Sequence, residues 1–299
     1  MQLVTRADWD GLVCAVLLGK VEKIDGVFFA HPKDMQDGKI PVPKGSIIAN
    51  LPYHPHCAMW FDHHISEEDK AEQLPDFKGK YDLAPSAARL IYDYYGGAAK
   101  FPEYAELIAA TDKIDSAQLA LEDVTHPRGY VLLSYTIDPR TGLTGSLHQP
   151  YFLTLVELLQ FQKIDDILQF PEVKKRCERV LADDAQFREA LKGHSRQEAN
   201  VVITDLRGLK DLPTGNRFLI YTLFPKTNIS VRLFDGRGGA FTVAALGHSI
   251  FNRTSKTNIG ELLAKYGGGG HRGAGTAQFA PAEAEAKIAE IVAQLKTDG

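Results

Sequence analysis

Cysteine is scarce in this chain of 299 residues: Cys14, Cys57 and Cys177 are odd in number and far apart. That spacing excludes a disulfide framework and leaves no paired-cysteine zinc site. Long apolar runs are missing as well. No stretch approaches the roughly 20 residues that span a bilayer. The chain opens with Gln2, Thr5, Arg6 and Asp8 rather than with the hydrophobic core of a cleavable leader. A cytoplasmic protein with no membrane partner is therefore expected. Neither a repeat at a solenoid period nor a low-complexity tract is found. Charge of one sign is also in short supply, the formal net charge being −4, and 44% hydrophobic with 24% charged residues is an ordinary globular composition. The length is about two domains' worth.

The small net charge conceals an asymmetry. Residues 201–280 hold ten Lys and Arg against four Asp and Glu, whereas the whole chain has 34 against 38. An acidic body with a basic annex suits a metal-binding part and an anion-binding part, and scattered solvated charge is the competing reading.

Short apolar runs at Gln2 to Thr5, Gly26 to Ala30, Ser46 to Ala49 and Ala58 to Phe61 are bounded by Gly, Pro and Asp, as in buried parallel strands. Between and after them, Leu12 to Leu18, Ala84 to Tyr95 and Glu103 to Ala110 read as helices. Tyr151 to Leu191 reads as helical with a break near Pro171. The period then changes to that of strands, with candidates at Val201 to Thr204, Phe218 to Phe224, Ile229 to Phe234 and Phe241 to Leu246, followed by helices from Ile259 to Tyr266 and Pro281 to Leu295. The pattern predicts an α/β chain: a doubly wound, mainly parallel sheet domain over 1–192, a linker over 193–199, and a smaller α+β domain over 200–299.

Three acidic motifs lie where such a sheet would place ligands. Asp8-Trp9-Asp10-Gly11 follows the first strand, at the carboxyl end that serves as the usual binding edge, although Asp there is also an ordinary helix N-cap. Asp62-His63-His64 follows another buried strand, so its side chains emerge on the same edge. Carboxylate oxygen with imidazole nitrogen suits manganese, magnesium with help, or zinc. Asp112, near the end of a helix, is a further carboxylate able to complete a metal site. In the second part, Gly267-Gly268-Gly269-Gly270-His271-Arg272-Gly273 offers backbone N–H groups able to wrap an anion, with His271 and Arg272 as charge-assisted donors. Arg253 and Ser255 offer further donors for a second phosphate, an exposed surface arginine being the competing reading of Arg253.

In this order, Asp-x-Asp-Gly, Asp-His-His, a later Asp and GGGGH, the chain resembles the DHH phosphoesterase superfamily over nearly its whole length. It is similar to the branch with a C-terminal DHH-associated domain, which includes nanoRNase, pAp phosphatase and exopolyphosphatase-related proteins. The resemblance implies a hydrolase holding one or two manganese or magnesium ions on Asp8, Asp10, Asp62, His63 and Asp112, in a cleft between the domains. It gives Asp62, His63 and His64 catalytic roles, His64 being placed to position substrate or leaving group. Gly268, Gly269, Gly270, His271 and Arg272 would grip a substrate phosphate. Two departures stand out. Val4 and Arg6 occupy places where relatives carry His or Asp, and Asn50 stands where they carry a bridging Asp; an amide brings no charge, and Arg6 repels a cation. The expected substrate is small and phosphorylated: a short oligonucleotide, a nucleoside bisphosphate, a cyclic-dinucleotide product or polyphosphate. A binding protein of the same fold that has lost catalysis is the alternative, a long-DNA exonuclease fits the modest basic charge less well, and the oligomeric state, a homodimer included, is left open.

Overall fold

The computed structural model describes residues 1–74, 76–138, 148–211 and 214–299. It forms two compact units, Met1–Gln118 with Arg128–Glu178, and Leu119–Pro127 with Arg179–Gly299. Among the described residues, no helix is long and apolar enough to cross a membrane.

In chain order, the first unit begins with β1 (Gln2–Arg6), α1 (Trp9–Val21), β2 (Gly26–Ala30), α2 (Pro32–Gln36), β3 (Ser46–Ala49) and β4 (Cys57–Asp62). It continues with α3 (Glu68–Gln73), β5 (Gly79–Tyr81), α4 (Ala87–Tyr94) and α5 (Ala105–Asp115). The short α6 (Leu121–Thr125) belongs to the second unit, after which the chain returns through α7 (Gly129–Tyr135), α8 (His148–Phe161) and α9 (Ile164–Gln169) to α10 (Pro171–His194). The helical stretch expected from Tyr151 onward thus breaks twice, before Ile164 and again at Pro171, where proline sits at the first turn and can start a helix but not continue one.

The first sheet is wholly parallel, in the order β2-β1-β3-β4-β5. Its strands alternate between two cores. Leu3, Ile47, Ala49, Met59 and Phe61 join α1, α4, α5 and α8 on one face, while Val4, Ile48 and Trp60 pack with Met35, Val42 and Leu51 on the other. Covering both faces explains why these strands read as unbroken apolar runs. Helix α1 is buried from Trp9 to Leu18, so it is apolar all round rather than amphipathic. In this strand order the chain switches direction between β1 and β3, and the crevice outside their carboxyl ends is where ligands bind open α/β sheets.

The second unit is built on a six-stranded mixed sheet, β10-β11-β9-β8-β7-β6. Its strands are β6 (Ser195–Glu198), β7 (Val201–Asp205), β8 (Ile229–Asp235), β9 (Thr242–His248), β10 (Gly269–His271) and β11 (Ala274–Phe279). Helices α12 (Ile259–Ala264) and α13 (Pro281–Asp298) close its core through Ile259, Leu263, Ile288, Ile291 and Leu295. Residues 193–199 hold the end of α10 and edge strand β6.

One expected strand is a helix. Phe218 to Phe224 contains α11 (Leu219–Leu223), because β8 already has a neighbour on each side and the sheet has no place for another strand beside it. Asn216 turns the chain into this helix: its Oδ1 accepts the Phe218 N–H at 2.9 Å, and its own N–H donates to Asp184 at 2.7 Å. A short apolar run carries no period by which to tell the two apart.

The turn from β1 into α1 leaves no room for a side chain at Gly11. A Cβ there would stand 2.0 Å from the Arg6 carbonyl oxygen, and Thr5 Oγ1 already donates to the Gly11 carbonyl at 3.0 Å. Gly11→Ala is expected to cost about 3 kcal/mol as an overpacked site, measured by urea unfolding. A loss under about 1 kcal/mol would mean that α1 moves away from the strand end without penalty.

Candidate active site

The carboxyl ends of β1, β3 and β4 bring together Arg6, Asp8, Asp10, Asn50, Asp62, His63 and His64, and α5 adds Asp115. Asp8 is the N-cap of α1, its Oδ1 accepting the Gly11 N–H at 2.9 Å. The same oxygen accepts from Asn50 Nδ2 at 3.0 Å, and Oδ2 pairs with Arg6 Nε at 2.8 Å. Both carboxylate oxygens of Asp8 are thus engaged. Asn50 has φ 55°, a left-handed conformation that asparagine tolerates better than most residues. Its backbone N–H donates to the Phe61 carbonyl, fixing the end of β3 against β4.

Asp10 sits two residues further on, fully buried. Its oxygens accept the N–H groups of Ala87 and Ala88 at 2.8 Å each, at the first turn of α4. His63 Nδ1 lies 3.0 Å from the Ala84 carbonyl oxygen, so Nδ1 carries the hydrogen and Nε2 presents its lone pair. That Nε2 is buried with no hydrogen-bond partner, 3.6 Å from Asp10 and 3.4 Å from Asp115. The ligand atoms of Asp10, His63 and Asp115 all lie within 4.8 Å of one another. Three electron-pair donors facing each other repel unless a positive charge lies among them.

The carboxyls respond accordingly. Asp10 and Asp115 are both pushed up to about 7, first by loss of solvation and then by neighbouring carboxylates, Asp8 in the case of Asp10 and Asp10 with Asp8 in the case of Asp115. For Asp10 the two N–H bonds from α4 oppose the shift without cancelling it. Asp62 is also fully buried; Oδ1 accepts from His64 Nδ1 at 2.8 Å, and Oδ2 has no partner. That bond raises the His64 pKa against burial and the nearby Arg6. Arg6 Nη1 meets His64 Nε2 at 3.0 Å. The donor set, mixed oxygen and nitrogen with buried unpartnered Asp62 Oδ2 and His63 Nε2, fits a divalent cation.

The carboxylate brought to this cluster from α5 is Asp115. Asp112, one turn earlier, accepts from Ser86 Oγ at 2.7 Å and from Arg89 at 2.7 and 3.0 Å. The sequence reading passed over Asp115, although the two lie on one helix face at i, i+3 spacing and Asp-x-x-Asp was the available signal.

In the second unit, the glycine run is an edge strand and turn rather than a loop. β10 pairs with β11 as Gly269↔Thr276, Gly270↔Gly275 and His271↔Ala274. Gly270 has φ 155°, and a Cβ there would stand 2.3 Å from the Ala274 carbonyl oxygen. Gly269, Gly270, His271 and Arg272 are exposed, and Gly268 precedes the strand. Arg253 Nε donates to the Ile250 carbonyl at 3.0 Å, and Ser255 Oγ is buried without a hydrogen-bond partner.

A parallel sheet with acidic and imidazole groups converging at its switch point, joined to a mixed-sheet unit, is the architecture of a two-domain phosphoesterase, a hydrolase of phosphoric esters or anhydrides acting on small phosphorylated substrates. Neither a protein-family model nor a curated protein matches the sequence. Among solved structures, PggH, a pGpG-specific phosphodiesterase from Vibrio cholerae, is 42% identical with a TM-score of 0.91, over 100% of this chain and 99% of that one. A DHH domain described as that of a member of a ribosomal-protein family aligns at 15% identity and TM-score 0.56, over 99% of this chain and 86% of that one. RecJ from Thermus thermophilus, solved with Mn2+, aligns at 12% and 0.53, over 98% of this chain and 51% of that one; these last two share the fold. The chain belongs to the DHH phosphoesterase superfamily.

The raised carboxyls carry a consequence for stability. Folded, Asp10 and Asp115 keep protons up to about pH 7, while unfolded they lose them near the ordinary aspartate value of 3.8. The metal-free chain therefore loses stability as pH rises between these values and does not regain it above them. A divalent cation takes the place of those protons. Mn2+ added to EDTA-treated protein is expected to raise the melting temperature by several degrees more at about pH 8 than at about pH 5, read by calorimetry. Equal shifts at both pH values would remove these two carboxyls from the cation site.

Proposed function

We propose that this protein hydrolyses the phosphodiester bond of a linear dinucleotide of the pGpG type, releasing nucleoside monophosphates, with a divalent ion as cofactor. The substrate class rests on 42% identity over the full length of a pGpG-specific phosphodiesterase. The observation that carries the chemistry is the convergence of His63 Nε2, Asp10 and Asp115, three electron-pair donors turned toward one point.

Asp10, His63 and Asp115, with Asp62 through its unpartnered Oδ2, would hold the ion, and manganese or magnesium suits the carboxylate-rich set. Bound there, it supplies Lewis acidity, making a water acidic enough to attack phosphorus and offsetting charge on the phosphoryl oxygens. Ala84 orients His63 by accepting its Nδ1–H, as outer partners of ligand histidines do. Asp62 does the same for His64, whose Nε2 meets Arg6 Nη1 at 3.0 Å, so that the ring positions substrate beside that guanidinium. The exposed segment Gly269–Arg272 of the second unit provides donors for a substrate phosphate, with His271 the principal one. Asp112 instead orders α4 against α5 through Arg89 and Ser86.

His63→Gln removes the imidazole ligand from a group that is 10% exposed while leaving a polar side chain. Turnover of pGpG in the presence of Mn2+ is expected to fall by a factor of about 10² or more, with Mn2+ affinity falling in parallel. Unchanged turnover would refute the cation site.

His271→Ala acts differently. Loss of one charge-assisted hydrogen bond is expected to raise KM for pGpG by a factor of about 10 to 100, without loss of bound Mn2+ by elemental analysis. Metal loss in this variant, or an unchanged KM, would exclude the phosphate-binding role.

A further inference from the structure

We infer that the site takes a single divalent ion and that Arg6 provides the second positive charge, as a fixed donor to the substrate's phosphoryl oxygens. This rests on the metal-site reading above and turns Arg6 from a residue that merely repels a cation into one that takes a cation's place.

The argument begins with Asp8. Its Oδ1 is held by Gly11 N and Asn50 Nδ2, and its Oδ2 by Arg6 Nε at 2.8 Å. A cation approaching Asp8 would have to displace the guanidinium, which already lies at contact distance and repels it. Asn50 reinforces the exclusion. At the end of β3 an aspartate could bridge two ions, but the amide turns its NH2 toward Asp8, and its buried, unpartnered Oδ1 brings no negative charge to hold two cations close together. Of the donors that remain, Asp10, His63 and Asp115 lie within one 4.8 Å cluster, the size of a single ion's shell, and Asp62 Oδ2 adds one more carboxylate oxygen, too few for a second shell.

Arg6 is also held like a working group rather than a surface one. Nε is fixed by Asp8 and Nη1 faces His64 Nε2 at 3.0 Å, so the guanidinium plane is anchored at two points. Of the five N–H donors of arginine, these contacts use two. The side chain is 37% exposed, which leaves the rest of the fork open to a ligand. A planar fork matches phosphate oxygens two at a time, and an arginine next to a metal-held phosphoryl group offsets charge that grows as the bond breaks. Asp8 then acts as a positioning residue for Arg6. His64, which relays between Asp62 and Arg6, ties that guanidinium to the buried part of the site.

The test combines metal counting with kinetics on the full chain. Metal-depleted wild type titrated with Mn2+ by calorimetry is expected to bind one ion per chain, and elemental analysis after gel filtration gives the same ratio. Arg6→Gln keeps that ratio, while kcat for pGpG falls by a factor of about 10². Arg6→Lys retains the charge but not the fork and is expected to fall between the two, by a factor of about 10. Circular dichroism checks that both variants are folded; Arg6→Lys, which still pairs Asp8, carries the kinetic comparison if Arg6→Gln does not fold. Two ions per wild-type chain would overturn the inference, as would an Arg6→Gln or Arg6→Lys enzyme turning over as fast as wild type with one ion bound. A wild-type chain that binds no Mn2+ would instead overturn the metal-site reading itself.

Discussion

A carboxylate with no exposed surface, Asp10, joins the first turn of α1 to the first turn of α4 by accepting the N–H groups of Ala87 and Ala88. The two N–H groups would otherwise have no partner at the start of α4. In exchange, the carboxylate is fixed in position and in rotation. Isolated buried charge is expensive, and two backbone donors do not remove the cost: Asp10 and its neighbour Asp115 hold protons to about pH 7. A scaffold that sets two desolvated acids beside the lone pair of His63 is strained in the absence of positive charge. Cation binding and stability of the first unit are therefore one question.

The two aspartates of Asp8-Trp9-Asp10 meet opposite solutions to the same problem. Asp8 is neutralised from within the chain, by a helix N-terminus, an amide and a guanidinium. Asp10 has dipoles only, and its charge is left for something outside the chain. Gly11 makes this division possible, because only a residue without Cβ lets α1 start so close to the Arg6 carbonyl. Arg6 therefore changes meaning between sequence and structure. Read as a residue that repels a cation, it lies paired with Asp8 and against His64, in a place where positive charge is already accounted for.

On the proposed reading the second unit has a different task, that of offering donors to a phosphate from an exposed edge. Glycines at 268 and 270 let the chain run against β11 where a side chain would strike the facing backbone, and they leave His271 and Arg272 at an exposed edge. The basic bias of residues 201–280 suits that task, as the acids gathered in the first unit suit a cation.

By itself the sequence determined the strands of the first sheet, which read as apolar runs because both faces are covered, and the buried helix α1, apolar all round for the same reason. It also determined that Asp8, Asp10 and the Asp62-His63-His64 triplet emerge together, since motifs that end parallel strands must share one edge. Chain connectivity alone fixes that. What only the tertiary structure decided were choices among near-equivalent local options. Asp112 and Asp115 share a helix face, and it is Arg89 and Ser86, arriving from α4 and its N-cap, that take the first and leave the second for His63. Phe218 to Phe224 could extend or coil, and a sheet already paired on both sides of β8 left it the helix. Both outcomes turn on partners distant in sequence, and no local pattern encodes a partner's position.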